Sequence, residues 1–153
     1  MKKAHLFLGV SFLLLLFFSA CTSEPPADKI KGSYNCECRL YTRYMKDGKW
    51  RDTAYISKEN NSVVITRVDD NTVSVKASSK KWGTVTVDRA SVSDYNYEGN
   101  FSGDGIFDYS NHQYDASISG SVSYESHDLA VSARVPSYPN SGGKYILSFT
   151  NNR

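Results

Sequence analysis

A single cysteine, Cys21, stands where its chemistry could decide how the whole chain is held in a cell. Two lysines lie near the start, a largely apolar run covers residues 6–18, and two small residues precede the cysteine. This order is typical of a secretory signal peptide that is removed before Cys21. A cysteine that becomes the first residue can carry a diacylglycerol on its sulfur and an acyl chain on its new amine. The sequence therefore predicts lipidation of Cys21, with palmitate-type chains.

Two other interpretations of this segment stay open. Ordinary cleavage would leave Cys21 as a free thiol. A membrane-spanning helix is disfavoured, because an apolar run of about thirteen residues is shorter than the roughly twenty that a span requires. We assign residues 1–20 to a signal peptide, 21–28 to the lipidated cysteine and a linker, and 29–153 to one domain.

The charge of the chain gives no reason to expect nucleic acid as a partner. The whole sequence has 18 basic and 16 acidic residues, and loss of residues 1–20 removes two lysines, leaving a formal net charge of zero. Residues 29–89 are richer in basic than in acidic side chains, whereas residues 90–133 contain acids but no Lys or Arg. We interpret both stretches as solvated outer faces.

Alternating apolar and polar residues dominate the chain from residue 31 onward. Turn residues recur about every eight to twelve positions, as they do in antiparallel sandwiches and barrels. The pattern predicts an all-β fold, an eight-stranded antiparallel up-and-down barrel without a helix. Turns are predicted at 46–48, 60–61, 69–71, 102–105 and 136–143, and a continuous strand over 94–101.

The opening and closing strands resemble those of the lipocalin-like (calycin-like) lipoproteins of Bacteroidetes. Gly32-x-Tyr34 stands where lipocalins carry Gly-x-Trp, and residues 143–149 stand in the place of the last strand. Arg134 and Arg153 are candidates for the arginine that packs over that tryptophan. The resemblance implies a lipocalin/calycin-like barrel that binds a small molecule in its cup or uses its shape for protein contacts. Together with Cys21, it implies an outer-membrane lipoprotein in the cell envelope.

Aromatic residues are the best indication of a binding site. The chain has 11 Tyr and 2 Trp. If they face inward, tyrosines would line a cavity with apolar walls and polar tips, suited to an amphiphilic or ring-bearing ligand. The predicted ligand-binding residues are Tyr34, Tyr95, Tyr97, Tyr114 and Tyr124. The alternative is that these rings form cross-strand pairs that hold the sheet together.

Catalytic motifs are not recognisable in the sequence, so neither an enzyme nor a cofactor is predicted. Asp104 and Asp108 could act as a carboxylate pair or bind calcium, but nothing in the sequence sets their separation. His112 and His127 lie beside turn residues and are interpreted as solvated. No metal site is predicted.

Cys36 and Cys38 are two positions apart and so lie on one side of a strand. A disulfide at that spacing would be strained. Two buried free thiols are therefore the preferred interpretation, while pairing with a partner's cysteine, or a metal site with the two histidines, stays open.

Two functional hypotheses follow for a lipid-anchored, non-catalytic protein. The first is a carrier or receptor that binds a small amphiphilic or ring-bearing ligand inside the barrel. The second is a protein-interaction module, an inhibitor or accessory subunit of an envelope complex, that uses the rim loops 78–83, 102–113 and 136–143. An open interior would favour the ligand carrier, and a filled interior would exclude it.

Overall fold

The computed structural model describes residues 23–151 as one sheet and a short helix. The elements are α1 (Pro26–Ile30), β1 (Gly32–Asn35), β2 (Glu37–Lys46), β3 (Lys49–Ser57), β4 (Asn61–Asp69), β5 (Thr72–Ser79), β6 (Gly83–Tyr95), β7 (Glu98–Tyr109), β8 (His112–Ser123), β9 (Leu129–Arg134) and β10 (Tyr145–Thr150). The ten strands are antiparallel and form a curled, half-barrel sheet, so the predicted all-β fold is confirmed. The predicted signal peptide, Cys21 and Arg153 lie outside the described residues.

Neighbouring strands in the sheet follow the order β1-β4-β5-β6-β7-β8-β9-β10-β2-β3. Only Cys36 separates β1 from β2, and residues 58–60 separate β3 from β4. β1 pairs with β4, whereas β2 pairs with β10 and with β3. β3 is therefore a terminal strand, with β2 as its neighbour.

Connections between strands lie at two ends of the sheet, which we name the helix end and the loop end. The helix end contains α1, the turns 70–71 and 96–97, and residues 124–128; the loop end contains the turns 47–48, 80–82 and 110–111, and residues 135–144. Two backbone hydrogen bonds tie the helix end together. Ala27 N–H donates to the Asp70 carbonyl (3.2 Å), and Tyr124 N–H donates to the Tyr97 carbonyl (3.0 Å).

Several predicted turns are confirmed. The turn at 46–48 forms where the residues tolerate a left-handed backbone. Asp47 and Gly48, between β2 and β3, have φ of 52° and 71°. The turn predicted at 60–61 is wrong, because β3 pairs antiparallel with β2 and β4 with β1 in one continuing hairpin, and Asn61 already belongs to β4, although Asn60 has φ of 57°. Asp and Asn reach this region at low cost, and Gly reaches it freely. The turn at 69–71 and the loop at 136–143 also lie between strands as predicted.

The turn predicted at 102–105 is wrong, since these residues lie inside β7. A Cβ on Gly103 would lie 2.8 Å from a Val87 methyl, and one on Gly105 would lie 2.1 Å from the Thr86 carbonyl oxygen. Both glycines therefore serve close strand packing, beside a register shift between Thr86 and Ser91. The real turn is at 96–97, inside the strand predicted over 94–101.

Helix α1 lies partly within the segment predicted to be a linker, and the prediction of no helix is wrong. Ala27 and Ile30 are fully buried, so this segment joins the core. Gly99 makes room for the helix, because a Cβ there would lie 2.3 Å from the Ile30 Cγ2 atom. Within residues 23–151, no helix reaches the length and apolarity that a membrane span requires.

The core lies on the inner side of the curled sheet and follows the predicted alternation. On β10, Tyr145, Leu147 and Phe149 are buried while the residues between them are partly exposed. Cys36 and Cys38 are free and buried, as predicted. Burial raises the pKa of Cys36 to about 11 and that of Cys38 to about 12, so both thiols stay protonated at neutral pH.

Candidate functional site

The tyrosines predicted to line one cavity are spread over both ends of the sheet. Tyr34 is buried near the helix end, where its hydroxyl donates a hydrogen bond to the Ile30 carbonyl (2.8 Å). Tyr114 is half-buried at the loop end, with its ring 5.3 Å from that of Tyr138. Since these two residues close opposite ends, they do not line a common space.

Tyr124, Tyr95 and Tyr97 lie at the helix end but have different surroundings. The Tyr124 hydroxyl donates to Asp94, and the Lys29 Nζ lies 4.8 Å from the ring centroid. Burial, together with that hydrogen bond, raises the pKa of Tyr124. Tyr95 and Tyr97 are 69% and 79% exposed beside the 96–97 turn, so they do not face the interior as predicted. A ligand-binding role for the five tyrosines stays a prediction.

Side chains fill the inner side of the sheet. Phe107, Phe149 and Leu147 are fully buried there, together with a set of valines. Ile30 closes the helix end, and Tyr138 packs against the core at the loop end. Over residues 23–151 the interior is therefore packed in the way of an ordinary core, without a preformed cup.

The closure of the loop end is an aromatic cluster. Tyr138 stacks on Tyr145 with ring centroids 4.0 Å apart, and Phe107 lies 5.5 Å from Tyr145. The Tyr145 hydroxyl donates to the Trp82 carbonyl (3.2 Å), which links the start of β10 to the 80–82 turn. Burial raises the pKa of Tyr138 and of Tyr145, so neither phenol is set up as a base.

A shallow groove of about 550 Å³ lies on the outer face of the sheet rather than inside it. Its centre is a row of small hydroxyl side chains on five neighbouring strands, namely Ser91, Ser102, Ser119, Ser132 and Ser148. These positions alternate with buried ones such as Phe101 and Val131, which form the floor. The groove offers hydrogen-bonding groups but no charge.

The most unusual surface is the far part of the β2–β3 hairpin, residues 43–57, which we name the arm. The pairing of β10 with β2 ends at Tyr145 and Thr42. Beyond that point, β2 is paired with β3 alone, as far as Lys46 and Lys49. Residues 43–52 of the arm thus form a two-stranded ribbon that extends the wall at the loop end, whereas residues 53–57 pair with the part of β2 that is also paired with β10.

Near its tip, the arm is held by one aromatic contact and by two ion pairs of Asp52. A Cβ on Gly142 would lie 3.0 Å from the Trp50 ring, so the indole sits against this glycine. Asp52 accepts from Lys144 (2.6 Å) and from Arg43 (2.8 Å). These bonds, led by that from Lys144, lower the pKa of Asp52. The arm is therefore held against residues 135–144.

The break between β3 and β4 holds the base of the arm. Asn61 is buried, and its side-chain amide donates to the Ser57 carbonyl (2.9 Å). The Cys36 N–H donates to the Asn61 carbonyl (3.0 Å), which spans the same break. The buried Asn61 thereby bridges the break between β3 and β4.

Apolar side chains remain exposed on the arm. Tyr44, Met45, Trp50, Tyr55 and Ile56 are between 45% and 54% exposed. In the described part of the chain, β3 pairs with β2 and has a free second edge along its nine residues. A free edge presents unpaired N–H and C=O groups, which are a template for another strand. The free edge of β3 therefore presents the main-chain groups with which an extended polypeptide would pair.

The residues considered for catalysis or metal binding do not assemble. His112 begins β8 at the loop end, whereas His127 lies at the helix end. Asp104 and Asp108 are exposed on β7, and Asp108 accepts from Gln113 (2.8 Å). Residues 23–151 contain no cluster of three or more His, Cys, Asp and Glu placed to hold a metal ion.

The predicted rim loops only partly coincide with the observed connections. Residues 78–79 belong to β5, and most of 102–113 belongs to β7 and β8, so these ranges are mainly wall. The range 136–143 is a loop and contacts the arm through Gly142. Sequence reasoning missed the arm, although the adjacent apolar residues 54–56 break the alternation of β3.

Fold and site together define a small all-β protein with a packed sheet and an exposed edge strand. Comparison with protein-family models, with curated proteins and with solved structures yields no match. Its function is therefore argued from the arm and from the N-terminal sequence.

Proposed function

We propose that this chain is a lipid-anchored, non-catalytic protein of the cell envelope that binds a protein partner through the arm. The observation that carries the proposal is the free edge of β3, bordered by exposed aromatic and aliphatic side chains. Exposed edges of this length are normally shortened, covered or charged. Near the tip the edge carries Lys49, Arg51 and Asp52, but residues 53–57 beside Tyr55 and Ile56 are uncovered and carry no charge, which is best explained by a partner that pairs with them.

The chemistry of the arm specifies the kind of partner. Main-chain hydrogen bonds along β3 would hold an extended segment, and exposed side chains would select apolar residues on that segment. Lys46, Lys49 and Arg51 are exposed around the tip, whereas Asp52 is already paired with two cations. We therefore expect an extended partner segment with apolar and acidic residues, aligned along the edge.

We further propose that the sheet is a lipocalin-like barrel of eight long strands. If β1 and β2 are counted as one long strand, and β3 and β4 as another, the ten strands become eight. Each long strand then pairs with the next, and β10 pairs with β2 in the first long strand. The Tyr34 ring lies 3.3 Å from the position of a Cβ on Gly32, which supports a pairing like the lipocalin Gly-x-Trp. Arg134 is exposed, so it does not play the part of the lipocalin arginine.

Ligand binding inside the barrel is the less favoured function. A ligand of drug size needs a cavity of about 300 Å³ or more, largely preformed. Here that volume would have to be emptied of Phe107, Phe149 and their neighbours, which are fully buried. The filled interior supports the interaction module.

Lipidation is tested first, by metabolic labelling of the native full-length protein with palmitate. Wild type should incorporate label and partition into the detergent phase, whereas Cys21→Ser should do neither. A Cys36→Ser variant is the matched control, because that thiol is buried. Absence of label in the wild type overturns the anchor.

Partner binding is tested by placing a photo-crosslinking amino acid at Tyr55 in the native host. One dominant adduct should form, and it should disappear when Ile56→Lys is added. The matched control carries the same amino acid at Val68, an exposed apolar position on β4 at the helix end. Equal adducts from both positions, or none from Tyr55 under several growth conditions, would overturn the role of the arm.

A further inference from the structure

The helix end carries two of the most exposed aromatic side chains of the described chain. Tyr95 and Tyr97 flank Asn96 at the β6–β7 turn and are 69% and 79% exposed. Tyr97 has φ of 63°, a left-handed conformation that bulky residues rarely adopt. Gly would adopt this φ without backbone strain, so the tyrosine occupies position 97 at a conformational cost.

The chain leads from this same end toward Cys21. Five residue steps separate Cys21 from Pro26, the first residue of α1, and span at most about 17 Å. The helix contacts the base of the turn on both of its strands. Lys29 lies 3.1 Å from Asp94 on β6, and Ile30 packs on Gly99 of β7. A lipid on Cys21 would therefore hold the 96–97 turn close to the bilayer.

Charge does not make this end a polybasic membrane site. Lys29 pairs with Asp94, Lys31 with Asp28 (2.6 Å), and Arg67 with both Asp28 (2.7 Å) and Asp70. The cations nearest α1 are thus neutralised by the protein itself. Tyrosine rings, with an apolar body and a polar hydroxyl, are the side chains suited to the headgroup region of a bilayer.

We propose that Tyr95 and Tyr97 dock in the headgroup region of the anchoring membrane and set the orientation of the protein. This inference rests on the proposed lipid anchor. A tether on one sulfur alone leaves the body free to tumble, whereas a second contact at the 96–97 turn directs the helix end to the lipid. The loop end and the arm then point away from the membrane, accessible to a partner.

The test uses the mature chain from Cys21, joined through that thiol to a maleimide lipid in phosphatidylcholine vesicles. Cys36 and Cys38 are buried and do not compete. Trp is introduced as Tyr97→Trp or Tyr95→Trp, with Tyr44→Trp on the arm as the matched control. Vesicles with brominated acyl chains quench tryptophans that lie at the bilayer. Trp50 and Trp82 lie at the loop end and provide a constant background.

The added fluorescence at positions 97 and 95 should fall about twofold in brominated vesicles, while that at position 44 should not change. Lack of quenching at 97 and 95, or equal quenching at 44, overturns the docking. Because the tether is made chemically, this result is independent of natural lipidation. Failure of palmitate labelling with successful quenching would refute the proposed anchor and leave the docking surface intact.

Discussion

The contact between Gly99 and Ile30 should behave as a compensating pair. A methyl group on residue 99 would lie 2.3 Å from the Ile30 Cγ2 atom and 3.1 Å from the Tyr124 ring. The backbone of β7 is fixed by neighbours on both sides, so the helix has to move. Gly99→Ala should therefore push α1 away from the sheet.

Magnitudes follow from the burial of the two residues. Overpacking by one methyl typically costs about 1–3 kcal/mol, so we expect about 2 kcal/mol for Gly99→Ala. Ile30 is fully buried, and Ile30→Ala should cost about 3 kcal/mol through lost contacts and a cavity. In the double variant the alanine methyl enters the space that Ile30 vacated. We expect a total near 3 kcal/mol instead of the additive 5, a coupling of about 2 kcal/mol.

Urea unfolding of the four proteins, followed by circular dichroism, measures this coupling. Gly48→Ala, at a turn where a Cβ would meet nothing within 4 Å, is the control for the general effect of replacing a glycine, although its φ of 71° adds backbone strain. Additivity within about 0.5 kcal/mol would refute the packing of α1 on Gly99. A double variant that is less stable than the sum of the two single effects predicts would refute this packing as well.

Three further predictions concern the thiols, an acid and a second glycine. In a Cys21→Ser background, Cys36 and Cys38 should react with iodoacetamide at pH 8 at least about 100-fold more slowly in the folded than in the urea-unfolded protein, because burial keeps them protonated; equal rates would contradict this. The pKa of Asp94 is lowered, chiefly by the Tyr124 hydrogen bond and then by Lys29, so its stabilisation is present above about pH 4 and is lost as pH falls through the lower folded value. The urea midpoint of Asp94→Asn should therefore fall less than that of wild type between pH 6 and pH 3. An equal fall in both proteins would contradict a stabilising role of ionised Asp94. Gly120→Ala should lower the free energy of unfolding by about 1–3 kcal/mol, since its Cβ would lie 2.6 Å from a buried ring; an unchanged urea midpoint would disprove the contact.

Alternation of side chains was sufficient to predict the fold class and most strand positions. The β2–β3 hairpin around Asp47 followed from residues that favour a left-handed backbone, which is a local property. The turn at 96–97 could not be predicted, because Tyr97 is a poor residue for that conformation. Gly103 and Gly105 signalled a turn but serve close contact between β6 and β7, and such packing is not visible in one strand's sequence.

The candidate site was harder to predict for a physical reason. Exposure of β3 depends on where β10 and β5 end, and strand ends are set by pairing between distant segments. Helix α1 was missed because five residues with two prolines nearby give no periodic signal. Its burial depends on the space above Gly99, which another part of the chain provides.

The length of β7 sets the distance between the helix end and the loop end. Its twelve residues run from the helix end to the loop end, and at about 3.4 Å per residue they span roughly 40 Å, or about 30 Å if tilted as barrel strands are. If the tyrosine turn rests on lipid as proposed, the sheet acts as a rigid spacer. The edge of β3 then stands at a fixed height above the headgroups. A partner could then bind only if it presents a flexible segment at that height. This would favour soluble proteins, or membrane proteins with large extramembrane domains, over proteins with short extramembrane segments.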